Sequence, residues 1–137
     1  MARILALDYG AKRTGIAVTD ELKLIASGLK TVATVELLPF LKEYLEQENV
    51  ELILLGEPKR MNNEASAIEA EILKFRQQLE QSTTIPIKRV DERFTSKMAA
   101  ASLLTSGVKK KKRQNKALLD EVSATIILQS YLGSAAF

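Results

Sequence analysis

The chain of 137 residues contains no cysteine, no histidine and no tryptophan. Without cysteine there can be no disulfide framework, no thiolate nucleophile and no cysteine zinc site. Without histidine there is no serine–histidine triad, no imidazole base and no histidine metal ligand. If the protein is an enzyme, its proton chemistry must therefore depend on Asp, Glu, Lys or Tyr side chains, or on water activated by an oxygen-ligated ion such as Mg²⁺ or Mn²⁺.

Long hydrophobic runs are also missing. No apolar segment approaches the roughly 20 residues that a membrane-spanning helix needs. The first residues lead directly into strand-like sequence, without the pattern of a signal peptide. Apolar residues make up 46% of the chain and charged residues 27%, which is an ordinary balance for a globular protein. We therefore expect a single domain over residues 1–137, located in the cytoplasm and without a membrane partner.

Positive charge is concentrated in one short segment, which carries six cations and no acid. The formal net charge is +3, but without this segment the remaining 14 Lys and Arg face 17 Asp and Glu. A localised positive site suits a polyanionic partner such as nucleic acid, although a solvated lysine loop explains the charge equally well. The six residues are Lys109, Lys110, Lys111, Lys112, Arg113 and Lys116.

Short runs of strand-forming residues alternate with segments whose apolar residues recur at helical spacing. Tyr9, Gly10 and Gly15 are interpreted as the turn of a hairpin between the first two strands. This order predicts an α/β fold, with a mixed sheet covered by helices. Strands are expected at 3–8, 16–19, within 24–32, at 51–55 and at 85–90, and helices at 35–48, 65–79, 95–104 and 118–132.

Acidic side chains lie at the carboxyl ends of two of the predicted strands. Asp8 stands at the end of the first strand, and Asp91 and Glu92 follow the last one. In a parallel arrangement both strand ends open on the same edge of the sheet, where the acids could meet. Each also has a simpler explanation, because Asp8 could bond its own backbone in a turn and the Asp91–Glu92 pair could be a solvated cluster before a helix cap.

A third candidate acid, Asp120, lies at the start of the predicted last helix. Its helical face continues through Ser123, Ala124 and Ile127, so we expect Asp120 to point at the sheet edge and Glu121 to point towards water. Asp120 could instead be the N-cap of that helix. Val122, Ile126 and Tyr131 are expected to face inward.

Three converging carboxylates would supply the oxygen ligands that Mg²⁺ or Mn²⁺ requires. Two such ions about 4 Å apart can activate a water and stabilise the leaving oxygen of a phosphodiester. This chemistry needs neither histidine nor cysteine, so it is compatible with the composition.

Three motifs resemble those of one bacterial family. Residues 7–20, beginning Leu7-Asp8-Tyr9-Gly10, closely resemble the opening motif of the YqgF family, whose members are described as Holliday-junction resolvases and as nucleases that mature pre-16S ribosomal RNA. The segment Asp91-Glu92-Arg93-Phe94-Thr95-Ser96 is similar to the second signature, and residues 119–132 are similar to the third. The motifs occur in the family's order and span nearly the whole chain.

The resemblance implies an RNase H-like fold, in which a five-stranded mixed sheet has helices on both faces and its first three strands are antiparallel. It implies a metal-dependent nuclease, most simply one that processes the 5′ end of pre-16S rRNA or, alternatively, one that resolves branched DNA. By resemblance the catalytic, metal-binding acids are Asp8, Asp120 and Glu92 rather than Asp91, and the cofactor is Mg²⁺ or Mn²⁺. Lys12, Arg13 and Arg93 would face phosphates.

The resemblance has two local departures. Residues 62–64 replace the Asp-Gly usual after the family's Gly-x-Pro loop, and Ser27-Gly28 stands where a proline is commoner. Both departures weaken inferences about those loops and leave the three acids untouched.

Two other interpretations remain. The first hairpin could pass for the phosphate-binding hairpin of the sugar-kinase and actin-like ATPases, but that fold clasps ATP between two domains and this chain offers one. A nucleic-acid-binding module without catalysis is the other alternative, in which the basic segment binds and the acids only satisfy turns or caps. A junction resolvase is expected to be a two-fold homodimer, whereas an RNA-trimming enzyme could be a monomer.

Overall fold

The computed structural model describes residues 2–57, 68–91 and 116–135, with side chains in the last segment described from Glu121 to Leu132. Five strands are formed: β1 (Arg3–Asp8), β2 (Arg13–Thr19), β3 (Ala26–Ala33), β4 (Val50–Glu57) and β5 (Ile87–Asp91). A short 3-10 turn (Thr34–Glu36) leads into α1 (Leu37–Gln47), and the other helices of the described residues are α2 (Glu69–Ser82) and α3 (Lys116–Ala135).

The strands form one sheet in the order β3-β2-β1-β4-β5. β1, β2 and β3 are joined by short turns and pair antiparallel. β4 pairs parallel with β1, and β5 pairs parallel with β4, because a helix separates each of them from the preceding strand. The predicted five-stranded mixed sheet with three antiparallel first strands is therefore confirmed.

Side-chain alternation along β1 shows how the two faces of the sheet are covered. Leu5 and Leu7 point into a core that includes Leu41 of α1 and Leu79 of α2. Ile4 and Ala6 point to the opposite face, where α3 packs. The predicted helices on both faces are confirmed, and the two faces are called here the α1/α2 face and the α3 face.

Several element boundaries differ from the expectations in an informative way. Gly15 lies inside β2 and not in the turn, because the hairpin already closes over residues 9–12. β5 begins at Ile87, one residue after Pro86, although the Pro86 carbonyl still accepts a hydrogen bond from the Ile53 amide at 3.0 Å. A proline lacks the donor but keeps the acceptor, so it serves as the last residue before the strand.

The last helix also differs in its buried face. α3 buries Ser123, Ala124, Ile127 and Leu128, whereas Val122 and Ile126, which we expected to face inward, are half-buried. The small residues Ser123 and Ala124 let the helix approach the sheet closely.

The predicted helix at 95–104, residues 58–67 and residues 109–113 of the basic segment lie outside the described residues. Among the helices that are described, none is long and apolar enough to cross a membrane.

Candidate active-site edge

Asp8 ends the central strand β1 at the carboxyl edge of the sheet. It is half-buried, and alternation from Ile4 and Ala6 places it on the α3 face. Its partner on β2 is Gly15, which is buried and carries no side chain. A carboxylate in this position is close to the core yet still reachable from the edge of the sheet.

The hairpin turn after Asp8 carries two of the predicted phosphate-facing cations. Lys12 is exposed, and Arg13 is the half-buried first residue of β2. Because this turn connects directly to Asp8, the structure brings both cations to the same edge of the sheet as the acid.

The turn is held in place by a threonine from another part of the chain. The Thr34 hydroxyl donates a hydrogen bond to the Gly10 carbonyl at 2.6 Å, and the Thr34 amide donates to the Lys12 carbonyl at 2.9 Å. The hydroxyls of Thr14 and Thr34 are 3.0 Å apart. Since a hydroxyl has one proton and that of Thr34 is directed at Gly10, Thr14 is the donor in this pair.

Gly10 is required by the geometry of the turn. A Cβ on this residue would meet the backbone carbonyl oxygen of Arg13 closer than real Cβ atoms approach. The turn can therefore close only with glycine here, and its shape determines where Lys12 and Arg13 lie.

Tyr9 points the other way from Asp8 and anchors the turn in the core. Its ring packs against that of Phe75 in α2, with 5.3 Å between the centroids. Burial raises the pKa of the Tyr9 hydroxyl, and the charge of Glu71 raises it further. The hydroxyl therefore stays protonated at neutral pH and is not a base.

Asp91 lies on the opposite face of the sheet from Asp8. It alternates with Val90, which packs with the α3 face, and so shares the α1/α2 face with Arg89. Asp91 is exposed. The next residue, Glu92, and Arg93 lie outside the described residues.

Arg89 joins three elements near this edge. Its guanidinium contacts both carboxylate oxygens of Glu69 in α2, at 2.7 and 3.1 Å. It also donates to the carbonyls of Leu55 and Gly56 at the end of β4, at 3.2 and 3.0 Å. A bidentate, largely buried pair of this kind fixes relative orientation as well as contributing energy. Arg89 thereby ties the ends of β4 and β5 to the start of α2.

Asp120 lies within α3 and not at its cap. The helix begins at Lys116, so the N-cap alternative for Asp120 is wrong. Asp120 stands one turn before Ser123 and Ala124, which are buried against the sheet. Glu121, which we expected to point towards water, is half-buried, and its Oε2 is 3.6 Å from where a Cβ on Gly28 of β3 would lie.

The described residues contain one of the three predicted acids with its side chain. Within residues 2–57, 68–91 and 121–132, no group of three acidic side chains is close enough to hold an ion. Asp8 itself fits such an ion, since it is an oxygen donor at the sheet edge beside a glycine. A metal site here would need further acids besides Asp8, and the sequence predicts these to be Glu92 and Asp120.

Sequence reasoning missed the residues that build the edge around Asp8. The clamp from Thr34, the Arg89–Glu69 pair and the position of Gly15 opposite Asp8 all follow from strand pairing and helix packing. The one available signal was Gly10, whose Tyr-Gly context indicated a tight turn.

The sheet order, the placement of α3 on one face and an acid at the carboxyl end of β1 define an RNase H-like architecture of the kind found in resolvases. Two examples among the solved structures share it. The fowlpox virus resolvase in complex with Holliday junction DNA covers 98% of this chain and 99% of its own, with a TM-score of 0.62 and 13% identity. RuvC of T. thermophilus, also solved with a Holliday junction substrate, covers 98% of this chain and 96% of its own, with a TM-score of 0.57 and 13% identity.

The chain belongs to the RuvX family, described as "Holliday junction resolvase", whose model matches residues 2–134. Proteins named "Putative pre-16S rRNA nuclease" are close relatives. That of Christiangramia forsetii is 60% identical over 96% of this chain and 98% of its own length. That of Phocaeicola vulgatus is 58% identical over 98% and 97%. The predicted family and the prediction of a nuclease or resolvase role are confirmed.

Proposed function

We propose that this protein is a divalent-metal-dependent nuclease that hydrolyses phosphodiester bonds at the 5′ end of pre-16S rRNA. The observation that carries the proposal is the position of Asp8, half-buried at the carboxyl end of the central strand with the cationic turn of Lys12 and Arg13 beside it. The names of the relatives at 58 and 60% identity support the choice of substrate.

The proposed metal ligands are Asp8, Glu92 and Asp120, and the proposed ion is Mg²⁺ or Mn²⁺. Asp8 lies on the α3 face, and Asp120 belongs to the helix that packs on this face. Asp91 lies on the other face, which favours its neighbour Glu92 as the second acid. When bound, a pair of such ions supplies an activated water and stabilises the leaving oxygen.

The cations have a separate role in this proposal, because they hold the nucleic-acid backbone. Lys12 and Arg13 bind phosphates beside Asp8, and the basic segment extends the contact along the strand. Each phosphate that is neutralised releases counterions, so affinity should fall steeply with salt. The proposed phosphate-binding residues are Lys12, Arg13, Arg93, Lys109, Lys110, Lys111, Lys112, Arg113 and Lys116.

The experiment compares two acids at opposite ends of the sheet, Asp8 as the last residue of β1 and Asp20 directly after β2. Asp8→Asn keeps the shape of the side chain but removes the charge that holds the ion. Asp20→Asn is the matched control, because Asp20 follows β2 at the far edge. The proteins are incubated with end-labelled pre-16S rRNA and Mn²⁺ or Mg²⁺, and cleavage is measured over time.

Asp8→Asn should reduce the cleavage rate roughly a thousandfold or more, since metal catalysis contributes several kcal/mol to the barrier. Asp20→Asn should cleave like the parent. Near-normal cleavage by Asp8→Asn at saturating ion would contradict the metal-site proposal. Tight metal-free RNA binding with no cleavage by the parent under either ion would favour a non-catalytic binding module.

A second candidate function is resolution of branched DNA, which the description of the family favours. Symmetric cutting of a four-way junction requires two active sites, so this function predicts a two-fold homodimer on the substrate. Paired nicks in a four-way junction, together with a dimer in sedimentation, would support it over RNA processing by a monomer.

A further inference from the structure

Asp8 has a glycine as its neighbour on both adjacent strands. On β2 it pairs directly with Gly15. On β4 the parallel pairing aligns Leu7 with Leu55, so the next residue on each strand places Gly56 beside Asp8. Gly56 is in turn paired with Val90 of β5.

Gly15, Asp8 and Gly56 all belong to the α3 face. Two positions further from the carboxyl edge, the paired residues on the same three strands are Ala17, Ala6 and Leu54, which pack with α3. Residues two positions apart on a strand share a face of the sheet. Leu7, which lies between Ala6 and Asp8, points the opposite way and is buried in the core of the α1/α2 face. The following row on the α3 face therefore runs Gly15, Asp8 and Gly56.

The stability of the sheet does not explain why glycine occupies these two positions. Both residues sit in regular strand pairing, where glycine loses more chain entropy than other residues and offers no side chain to pack. Gly10 and Gly28 differ from them. Gly10 is required by the turn, and a Cβ on Gly28 would only make ordinary contacts of 3.5 Å with α3.

A side chain at Gly15 or Gly56 would project beside the Asp8 carboxylate. Cβ atoms of directly opposed residues in an antiparallel pair lie about 4.5–5.5 Å apart, and neighbouring strands are about 4.8 Å apart. An ion of the Mg²⁺ type keeps several waters in addition to its carboxylate ligands. It therefore needs room around Asp8 that even a methyl group on either side would take.

We propose that Gly15 and Gly56 are positioning residues that keep the sheet clear on both sides of Asp8, so that a hydrated divalent ion can reach the carboxylate. This inference rests on the proposed metal site. The competing explanation is a packing role. Both glycines are buried, and the absence of a side chain would then allow the segment that covers them to pack closely on the sheet. The two explanations differ in what a methyl group does to stability.

The test uses Gly15→Ala and Gly56→Ala in the full chain, with Gly28→Ala as the matched control on the same face. Mn²⁺ affinity is measured by titration, with free Mn²⁺ followed by electron paramagnetic resonance, and Asp8→Asn serves as the reference for loss of the site. Thermal unfolding in metal-free buffer is measured in parallel for every variant.

We expect Mn²⁺ binding by Gly15→Ala and Gly56→Ala to weaken at least tenfold, while their unfolding midpoints stay equal to or above that of the parent. Gly28→Ala should match the parent in Mn²⁺ affinity. Unchanged Mn²⁺ affinity in both glycine variants would overturn the proposal. A fall in the unfolding midpoint together with the affinity would also overturn it, because the glycines would then serve packing.

Failure of the inference about the glycines can be distinguished from failure of the proposed function. If the parent binds Mn²⁺ through Asp8 but cleaves no nucleic acid, the proposed function fails and the titration still decides the role of the glycines. If the parent cleaves RNA and both glycine variants bind Mn²⁺ and cleave like the parent, only the inference about the glycines fails.

Discussion

Between β1 and β2 the chain turns through residues 9–12, and between β2 and β3 it turns through residues 20–25, at opposite ends of the sheet. The first turn is held from outside by Thr34. The second is held by its own first residue, because the Asp20 carboxylate accepts hydrogen bonds from the amides of Leu24 and Ile25, both at 2.8 Å. Within it, Lys23 has a φ of 59° and pairs with Glu51.

The two turns also differ in what they expose. The first presents Lys12 beside Asp8, whereas the second presents Leu22, Leu24 and Ile25, which are 57, 73 and 65% exposed. A turn whose backbone is held by its own first residue depends less on the rest of the molecule, although the Lys23–Glu51 pair still joins it to β4. A turn clamped by a distant residue has its shape determined by the whole fold, which suits the turn that must hold cations near an acid.

The largest effect in this comparison is expected from Gly10→Ala. The new Cβ would collide with the Arg13 carbonyl, so the turn must change shape, at a cost of about 1–3 kcal/mol. Chemical denaturation should show this loss, and RNA cleavage should fall with it. Gly28→Ala, with only ordinary contacts around its Cβ, should retain both properties. Full stability in Gly10→Ala would mean that the turn is not fixed by this close approach.

Thr34→Val should have the next largest effect, since it keeps the shape but removes the hydroxyl that bonds Gly10 and Thr14. We expect a loss of roughly 1–2 kcal/mol in unfolding free energy, because the partly buried Gly10 carbonyl loses its donor. The KM for RNA should rise more than kcat falls, as the turn that we propose to bind phosphate loosens. Thr34→Ser should restore KM. A kcat defect without a change in KM would contradict a positioning role.

A smaller effect is expected from charge removal in the two turns. Lys12→Gln should flatten the slope of log affinity against log salt by about 1, the value for one phosphate contact. Lys23→Gln should leave the slope unchanged, because Lys23 pairs with Glu51 at the far end of the sheet. Filter binding of RNA across a salt series measures both. Equal slopes for the two variants would remove the functional distinction between the turns.

The smallest effect concerns the pH dependence of stability. The hydrogen bond from the Ile25 amide holds the pKa of the Asp20 carboxyl below its usual value, against a smaller opposing effect of desolvation. The folded state therefore releases this proton more readily, so the carboxylate contributes stability above the ordinary aspartate pKa of about 4 and loses it as pH falls further.

Asp20→Asn should accordingly be slightly less stable than the parent at neutral pH, with the difference vanishing in acid. Denaturation curves at pH 7 and below pH 4 give the comparison. RNA cleavage at pH 7 should be unaffected. A difference that grows in acid would mean that the charge of Asp20 does not support the turn.

The same comparison shows how far the sequence alone could lead. Strand-forming runs and helical spacing were enough to predict a mixed sheet covered by helices. The antiparallel first three strands and the helices on both faces were expected from the resemblance to the YqgF family. Asp8 was identified because an acid after an apolar strand is unusual. Gly15 was placed in the turn, however, because only the pairing with β1 shows that the hairpin closes earlier.

Contacts between elements could not be predicted either, because they too depend on how distant segments come together in the fold. The Arg89–Glu69 pair joins residues 20 positions apart, and Thr34 reaches Gly10 across 24 positions. Nothing in the local sequence distinguishes these side chains from solvated ones, since their partners are chosen by the packing of α2 and the 3-10 turn on the sheet. Glu121 was expected in water because the closeness of α3 to Gly28 could not be anticipated.

The proposed catalytic acids share the α3 face of the carboxyl edge. The most direct test compares the Mn²⁺-dependent cleavage rates of Asp91→Asn and Glu92→Gln on pre-16S rRNA. Because Asp91 lies on the α1/α2 face, Asp91→Asn should cleave at nearly the parental rate and Glu92→Gln should be inactive. An active Glu92→Gln with an inactive Asp91→Asn would place the site on the other face and rule out a shared α3 face for the acids.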